Sequence, residues 1–432
     1  MNDSLSAVRY RSLLIILTIA VVGRFIVWPA SAATPAQTSP ARASTTVLQT
    51  SRILDGTGAI LENRDIVINE GRITAVVPRG DAPADLFYDL TPLTVLPGYI
   101  DTHVHITPHF ESSGKLHSPN DERAAGHTTL YAVENAYRTL LNGITTIQSL
   151  GAEEDAALKT WIERGDIPGP RLLSSLGSVS ESTGNPAQIR EFVRDRAAAG
   201  ADVIKIFAST SIRFGGVTTL SAAQLDAACR EARAQGLRAV VHAHRSDAVT
   251  LAADAGCSQI EHGWLLEPAD LDVIAESGMY LGNQIHLLFE NYATNGARFD
   301  GVDSYTMEGF ANLQAARPGA LDIFRHAVDV PDLRIVYSTD ANAGSHGRNT
   351  DELVAYVVDG GQAPMDAVIS ATSRAAESLG LADRIGSIAP GLDADIIALD
   401  GDPLSEPEAL GRVAFVMRAG RVYKNTPAII GR

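Results

Sequence analysis

The stretch Gly98-Tyr99-Ile100-Asp101-Thr102-His103-Val104-His105 is an apolar run that closes on two histidines one residue apart. Side chains alternate between faces along an extended strand, so His103 and His105 share a face. A His-x-His pair alone is a weak sign, because many such pairs are accidents of surface or core. This one is followed by seven further short apolar runs, at 144–147, 171–174, 202–207, 238–242, 259–262, 280–285 and 334–338. Ala-rich stretches of helical period, such as 221–235 and 363–379, lie between them. Strands that alternate with helices read as a parallel sheet. Eight such units over 98–385 predict an α/β fold, a (β/α)8 barrel of the TIM type. A doubly wound open sheet is the alternative, weakened because no strand is followed by a Gly-rich phosphate loop.

The flanks have a different texture. Residues 45–97 and 386–427 are short β-type runs broken by glycines, among them 46–49, 65–68, 72–77, 394–399 and 413–423. Neither block is long enough to bury a good core alone, so the two are expected to pair into one small β-sandwich domain. Further out, Arg9 and Arg11 precede the apolar run Leu13–Gly23, and Ala30-Ser31-Ala32 offers the small residues of a cleavage site. That order predicts a signal peptide over 1–32 and a periplasmic or secreted protein, with no membrane attachment once it is removed. Arg24 breaks the run and argues against a permanent anchor. Residues 33–44 read as a flexible lead-in.

Composition narrows the function classes. The 432 residues are 45% hydrophobic and 20% charged, which excludes collagen-like, coiled-coil and wholly disordered chains. Acids outnumber bases by 51 to 35, a formal charge of −16, so nucleic acid is not an expected partner. Cys229 and Cys257 are the two cysteines; two buried thiols are the simplest reading, with a disulfide between them as the alternative.

In barrels of this type the active site lies at the C-terminal ends of the strands. Read so, the first run ends in His103 and His105, the fourth carries Lys205, the fifth ends in His242 and His244, the sixth in His262 and the eighth in Asp340. Imidazoles plus a carboxylate suit zinc, with iron, nickel, cobalt or manganese as alternatives. Lys205 has a plainer reading as a strand lysine reaching solvent, and Asp340 as a cap for the next turn.

The same residues carry a family resemblance. Leu96–His105 resembles the first-strand motif of the amidohydrolase superfamily, and Asp202–Phe207 resembles its bridging-lysine strand. Val240–His244, Ile260–Gly263 and Ser338–Ala341 are similar to its later metal and acid–base strands, and Arg384–Pro403 to its return to the small β-domain. The wording around Lys205, His242 and Glu261 looks most like the prolidase and carboxypeptidase branch, which includes ochratoxin-hydrolysing amidases. This resemblance implies two divalent metal ions, zinc foremost. His103, His105 and Asp340 would hold one, His242 and His262 the other, and Lys205, carboxylated by CO2 to a carbamate, would bridge them. It implies attack on the carbonyl by a metal-activated water, with Asp340 as general base and then acid.

The expected substrate is a small-molecule amide: a dipeptide, or an N-acyl or N-aroyl amino acid, with ochratoxin-like amides included. His244 is expected at a substrate carboxylate and His346 at the substrate from its loop. His286, at the end of the seventh run, is a candidate for the pocket wall. Related barrels assemble into larger oligomers, so a homo-oligomer is expected, although no interface signature is present. Hydrolysis or deamination of a cyclic amide or heterocycle, as in imidazolonepropionase-like enzymes, is the competing activity. A non-catalytic solute-binding or metal-storage protein is the reading from another class. Two departures from the branch pattern, Gln148-Ser149 in place of an Arg-Asp pair and Ser182-Thr183-Gly184-Asn185 in place of Gly-Gly-His, are expected to reshape the pocket.

Overall fold

The structure, a computed structural model, describes residues 45–117, 125–301 and 305–426. The signal peptide and lead-in expected over 1–44 lie outside the described residues. The first strands are β1 (Thr46–Leu54), β2 (Ile60–Asn69), β3 (Arg72–Pro78), β4 (Leu86–Asp89) and β5 (Thr94–Pro97). The central run holds β6 (Tyr99–Val104), β7 (Ile144–Ser149), β8 (Arg171–Ser174), β9 (Ser178–Val179) and β10 (Val203–Phe207). It continues through β11 (Arg238–Ala243), β12 (Gln259–His262), β13 (Tyr280–Gly282) and β14 (Arg334–Ile335). The chain closes on β15 (Ile396–Leu399), β16 (Val413–Arg418) and β17 (Arg421–Asn425).

The strands from the two ends do combine. They run in the order β17-β16-β15-β5-β1-β2-β3, with β4 also paired to β1. All eight strands belong to one hydrogen-bonded network. Its inward residues, among them Leu48, Ile66, Ile396 and Phe415, form an apolar cluster of their own. Leu54, Leu96, Ile397 and Val416 of the same strands pack into the large central core instead. Arg171 fastens the sheet from the central side, donating to Asp395 Oδ2 at 2.7 Å and Asp393 Oδ2 at 2.8 Å.

The central strands are all parallel and form two arcs, β6-β7-β8 and β9 through β14 in chain order. Backbone hydrogen bonds span both gaps between the arcs. Asp202 N donates to Ser174 O at 2.8 Å on one side; Asp340 N donates to His103 O at 2.8 Å and His105 N to Ala341 O at 2.7 Å on the other. The arrangement is an α/β fold of TIM-barrel type. The third expected strand, 171–174, is β8, and a further two-residue strand, β9, follows it after Leu176 and Gly177, which both take positive φ. The seventh and eighth are shorter than expected, since β13 stops at Gly282 and β14 at Ile335.

Helix starts follow local chemistry. Ser221 accepts from Gln224 N and Gln224 reaches back to Ser221 N, so Ser-x-x-Gln opens the helix Ala222–Ala234. Asn185 and Gln188 do the same for Pro186–Ala198, with Pro186 in the first turn, where its missing N–H costs nothing. Ser182-Thr183-Gly184-Asn185 therefore serves as a turn and helix cap, and it does not line the cavity described below. Cys229 and Cys257 are joined in a disulfide, which corrects the expectation of two buried thiols. The bond links the helix Ala222–Ala234 to the turn before β12.

Candidate metal centre

Strand register brings the candidate residues together. Phe207 pairs with His242, His242 with Glu261, and Ala243 with His262, so β10, β11 and β12 end side by side. Lys205 points inward from β10 and is 1% exposed. Below it, Leu150, Val203 and Val240 form an apolar plug.

The tightest grouping is His103, His105 and Asp340. His103 Nε2 lies 3.3 Å from His105 Nε2, and Asp340 Oδ1 lies 3.1 Å from His105 Nε2 and 3.4 Å from His103 Nε2. Among the described residues this is the one group of three or more metal-capable side chains. Lys205 Nζ approaches His103 Nε2 at 3.5 Å. His242 and His262 lie next to it, with ring centroids 4.4 Å apart and His262 5.5 Å from His103. They are not drawn into the first group, and His242 Nε2 faces Thr210 O at 3.3 Å.

The donor set fits a metal. Two imidazole nitrogens and a carboxylate oxygen in one cluster are ordinary zinc ligands, and His262 Nδ1 is buried without a hydrogen-bond partner. Both His262 and Asp340 hold positive φ, 74° and 53°, a conformation non-glycine residues take sparingly and that clusters at functional sites. Asp101 holds the Asp340 turn. Its carboxylate accepts from Thr339 Oγ1 at 2.6 Å, Asn349 Nδ2 at 2.8 Å and the backbone N–H groups of Thr339 and His103.

The electrostatics favour neutral imidazoles. Burial, reinforced by neighbouring positive groups, holds His103, His242 and His262 below the usual histidine value. Burial also lowers Lys205, against the pull of Glu261 and Asp340. For Asp340, burial alone would raise the carboxyl, but His103, His105 and Lys205 outweigh it and hold the group below the usual carboxylate range.

Glu261 is a site residue whose role the sequence did not reveal, though it stands inside a quoted motif. It accepts from His103 Nδ1 at 2.8 Å and from Gln284 Nε2 at 3.0 Å, and it is wholly buried. Gly282 makes this close fit possible: a Cβ there would stand 2.6 Å from Glu261 Oε2.

The group opens onto a cavity of about 750 Å³ whose wall includes His103, Lys205, His242, His244, Trp264 and Asp340. His244 lies in that wall, stacked on His262 and tilted against Trp264, with ring centroids 5.1 Å from each. His346 does not: its Nε2 meets His105 O at 3.0 Å and its Nδ1 meets Thr139 Oγ1 at 3.2 Å, behind His105. His286 is also off the wall, at the start of the helix Leu287–Phe299. Gln148 is buried, donating to Thr102 O and accepting from Arg238, and Ser149 Oγ accepts from Ile106 N. Neither of these departures from the family pattern reaches the cavity.

The sequence pattern of the Amidohydrolase family matches residues 94–423, and the chain belongs to that family. A Xaa-Pro dipeptidase crystallised with methionine in its active site is similar at 27% identity and a TM-score of 0.80, over 88% of this chain and 100% of that one. A prolidase bound to N-methylphosphonate-L-proline shares the fold at 24% identity and TM-score 0.78, over 89% of this chain and 100% of that one. An A. niger ochratoxinase shares it at 22% identity and TM-score 0.73, over 90% of this chain and 97% of that one. Among curated proteins, a dihydroorotase of Solibacter usitatus (strain Ellin6076) is 34% identical over 84 residues, 19% of this chain. A dihydroorotase of Listeria monocytogenes serotype 4b (strain CLIP80459) is 25% identical over 134 residues, 31% of this chain. The matches span 20% and 30% of those two relatives.

Proposed function

We propose that this protein hydrolyses the amide bond to a C-terminal amino acid, in a dipeptide or an N-acyl or N-aroyl amino acid, with ochratoxin-like amides in the same class. The observation that carries the reading is the grouping of His103, His105 and Asp340, with Lys205 beside them, on the wall of a cavity that accommodates a small molecule. The likeness to the Xaa-Pro dipeptidase over nearly the whole chain supports it.

His103, His105 and Asp340 would hold one metal ion, and His242 and His262 a second, zinc suiting both sets best. When bound, the metals would polarise the scissile carbonyl and supply an activated water. Lys205, as its carbamate, would bring the negative charge that two divalent ions need and a lysine lacks. Asp340, held ionised, is placed to take the water's proton and pass it to the leaving amine. His346 and Glu261 set the position of His105 and His103. The central strands β6 to β14 form a closed ring of eight places around these groups, β8 and β9 sharing the third, and the terminal sheet is its appended domain.

Export to the periplasm or beyond completes the reading. The disulfide between Cys229 and Cys257 supports it, because such bonds persist in oxidising compartments.

Hydrolysis of a cyclic amide is the second reading, favoured by the dihydroorotase matches. A screen of metal-replete protein against dipeptides and N-acyl amino acids, alongside cyclic amides and lactones, separates them. Turnover of the open-chain amides is expected; turnover confined to the cyclic compounds overturns the first reading.

A further inference from the structure

One side of the cavity is unlike the metal side. The 3-10 turn Ile212–Phe214 follows β10, is capped by Ser211 and ends on Gly215 and Gly216, both at positive φ. Gly216 lies directly against His244, where a Cβ would stand 2.8 Å from the histidine's own Cβ. The turn is thus pressed onto the cavity wall, and it sets Arg213 into that wall. The guanidinium lies 4.3 Å from the ring centre of Tyr305 and 5.7 Å from that of Tyr292. It is hydrogen-bonded to the Tyr292 side chain, and its pKa is raised, so it remains charged. Tyr292 in turn accepts from Asn342 Nδ2 at 3.0 Å, and Asn342 Nδ2 also contacts Asp340 O at 3.3 Å. Arg213 is therefore tied by a short polar chain to the turn that carries Asp340.

A second observation points to a ligand on this side. Trp264 Nε1 and both ring nitrogens of His244 are buried without hydrogen-bond partners, and both side chains line the cavity. Unsatisfied buried groups are uncommon in folded proteins and call for a partner. The same wall is otherwise apolar: Leu288, Tyr292, Phe299 and Leu313 belong with Trp264 to one hydrophobic cluster separate from the main core. His244, the sequence-based candidate for a carboxylate, packs its ring against His262 and Trp264 on this wall. Among the described residues, the permanent positive charge on this side of the cavity is Arg213, whose planar fork matches a carboxylate.

Building on the amidase reading, we propose that Arg213 recognises the free carboxylate of the substrate, and that the wall of Trp264, Leu288, Tyr292, Phe299 and Leu313 takes the adjoining side chain. The preferred substrates are then amides of amino acids with large apolar side chains. Arg213 acts here as a specificity-determining residue and takes no part in bond cleavage.

The test compares wild type, Arg213→Gln and Arg213→Lys, all metal-loaded, on N-benzoyl-L-phenylalanine, its C-terminal carboxamide and N-benzoylglycine. Wild type is expected to favour the acid over the carboxamide by about 100-fold in kcat/KM, the scale of a lost pair of charge-assisted hydrogen bonds. Arg213→Gln should erase that preference, bringing the acid and the carboxamide to within about threefold of each other, and Arg213→Lys should retain part of it. The glycine compound should be slower than the phenylalanine compound by at least about tenfold. A preference that survives Arg213→Gln, or a variant that slows acid and carboxamide equally, overturns the role of Arg213. Equal rates for the glycine and phenylalanine compounds overturn the apolar subsite. If wild type cleaves none of these amides, the amidase reading is what fails, and binding decides the rest. Calorimetry with 3-phenylpropionate and 3-phenylpropanamide should then show the acid bound at least about tenfold more tightly by wild type only; equal binding by wild type and Arg213→Gln overturns the inference.

Discussion

Glu261 accepts a hydrogen bond from Nδ1 of His103 at 2.8 Å, and neither side chain touches solvent. A carboxylate oxygen only accepts, so Nδ1 carries the proton and Nε2 is left to face His105 and Asp340. Partners of this kind fix the tautomer and orientation of a metal-binding histidine, and losing one typically costs 10–100-fold in metal affinity or activity. Glu261→Gln keeps the shape and removes the charge. It is expected to weaken zinc affinity about tenfold in a chelator competition while leaving the circular dichroism unchanged. Undiminished zinc affinity would remove Glu261 from the centre.

Arg171 joins the terminal sheet to the central strands through Asp393 and Asp395, all three nearly buried. Removing one partner of a buried ion pair leaves charge without compensation, at a cost of about 3–5 kcal/mol. Arg171→Met is expected to lower the urea midpoint accordingly, with kcat retained below the transition. A midpoint within error of wild type would show that Arg384 and Arg72, which also reach Asp393, carry the junction.

Glu352 is buried and accepts from the backbone N–H groups of Ile285, His286 and Leu287. Burial pushes its carboxyl up to about 8 from an ordinary value of 4.5, against the effect of those three donors. A folded-state value raised above the unfolded one stabilises at low pH and loses that contribution as pH rises through the folded value. Stability should therefore fall between about pH 4.5 and 8, and Glu352→Gln should flatten this part of the profile. Urea midpoints at half-unit steps give the check; an equally steep profile in the variant would assign the slope elsewhere.

The disulfide spans 28 residues, and closing a loop of that size restricts the unfolded chain by about 3–4 kcal/mol. Cys229→Ala with Cys257→Ala is expected to lower the unfolding midpoint and leave hydrolysis unaffected. The same loss should follow from reduction of wild type after brief unfolding.

Much of the centre could be read in the sequence because it lies at strand ends, where apolar periodicity stops on a chemically distinctive residue. The candidates His103, His105, His242 and His262 were legible in that way, with Lys205 inside its run and Asp340 just past one. Arg213 was not, because it sits in a short turn between elements where no periodicity marks a side chain's direction. His346 and His286 were visible as loop and strand-end histidines, but whether such a ring faces a cavity or a backbone carbonyl depends on contacts across distant segments. Glu261 stood within its motif, yet its importance comes from His103, 158 residues away. The added strand β9 was not legible either, because the positive-φ pair Leu176 and Gly177 that precedes it leaves no trace in apolar spacing.

The most direct test titrates zinc into chelator-stripped protein while following hydrolysis of an N-acyl amino acid that the substrate screen identifies. The stripped protein is expected to be inactive, with turnover returning and saturating at about two equivalents per chain, and Asp340→Asn at least about 100-fold slower at saturation. Hydrolysis by the stripped protein at the full rate, or activity complete at one equivalent, would contradict a binuclear metal-dependent amidase.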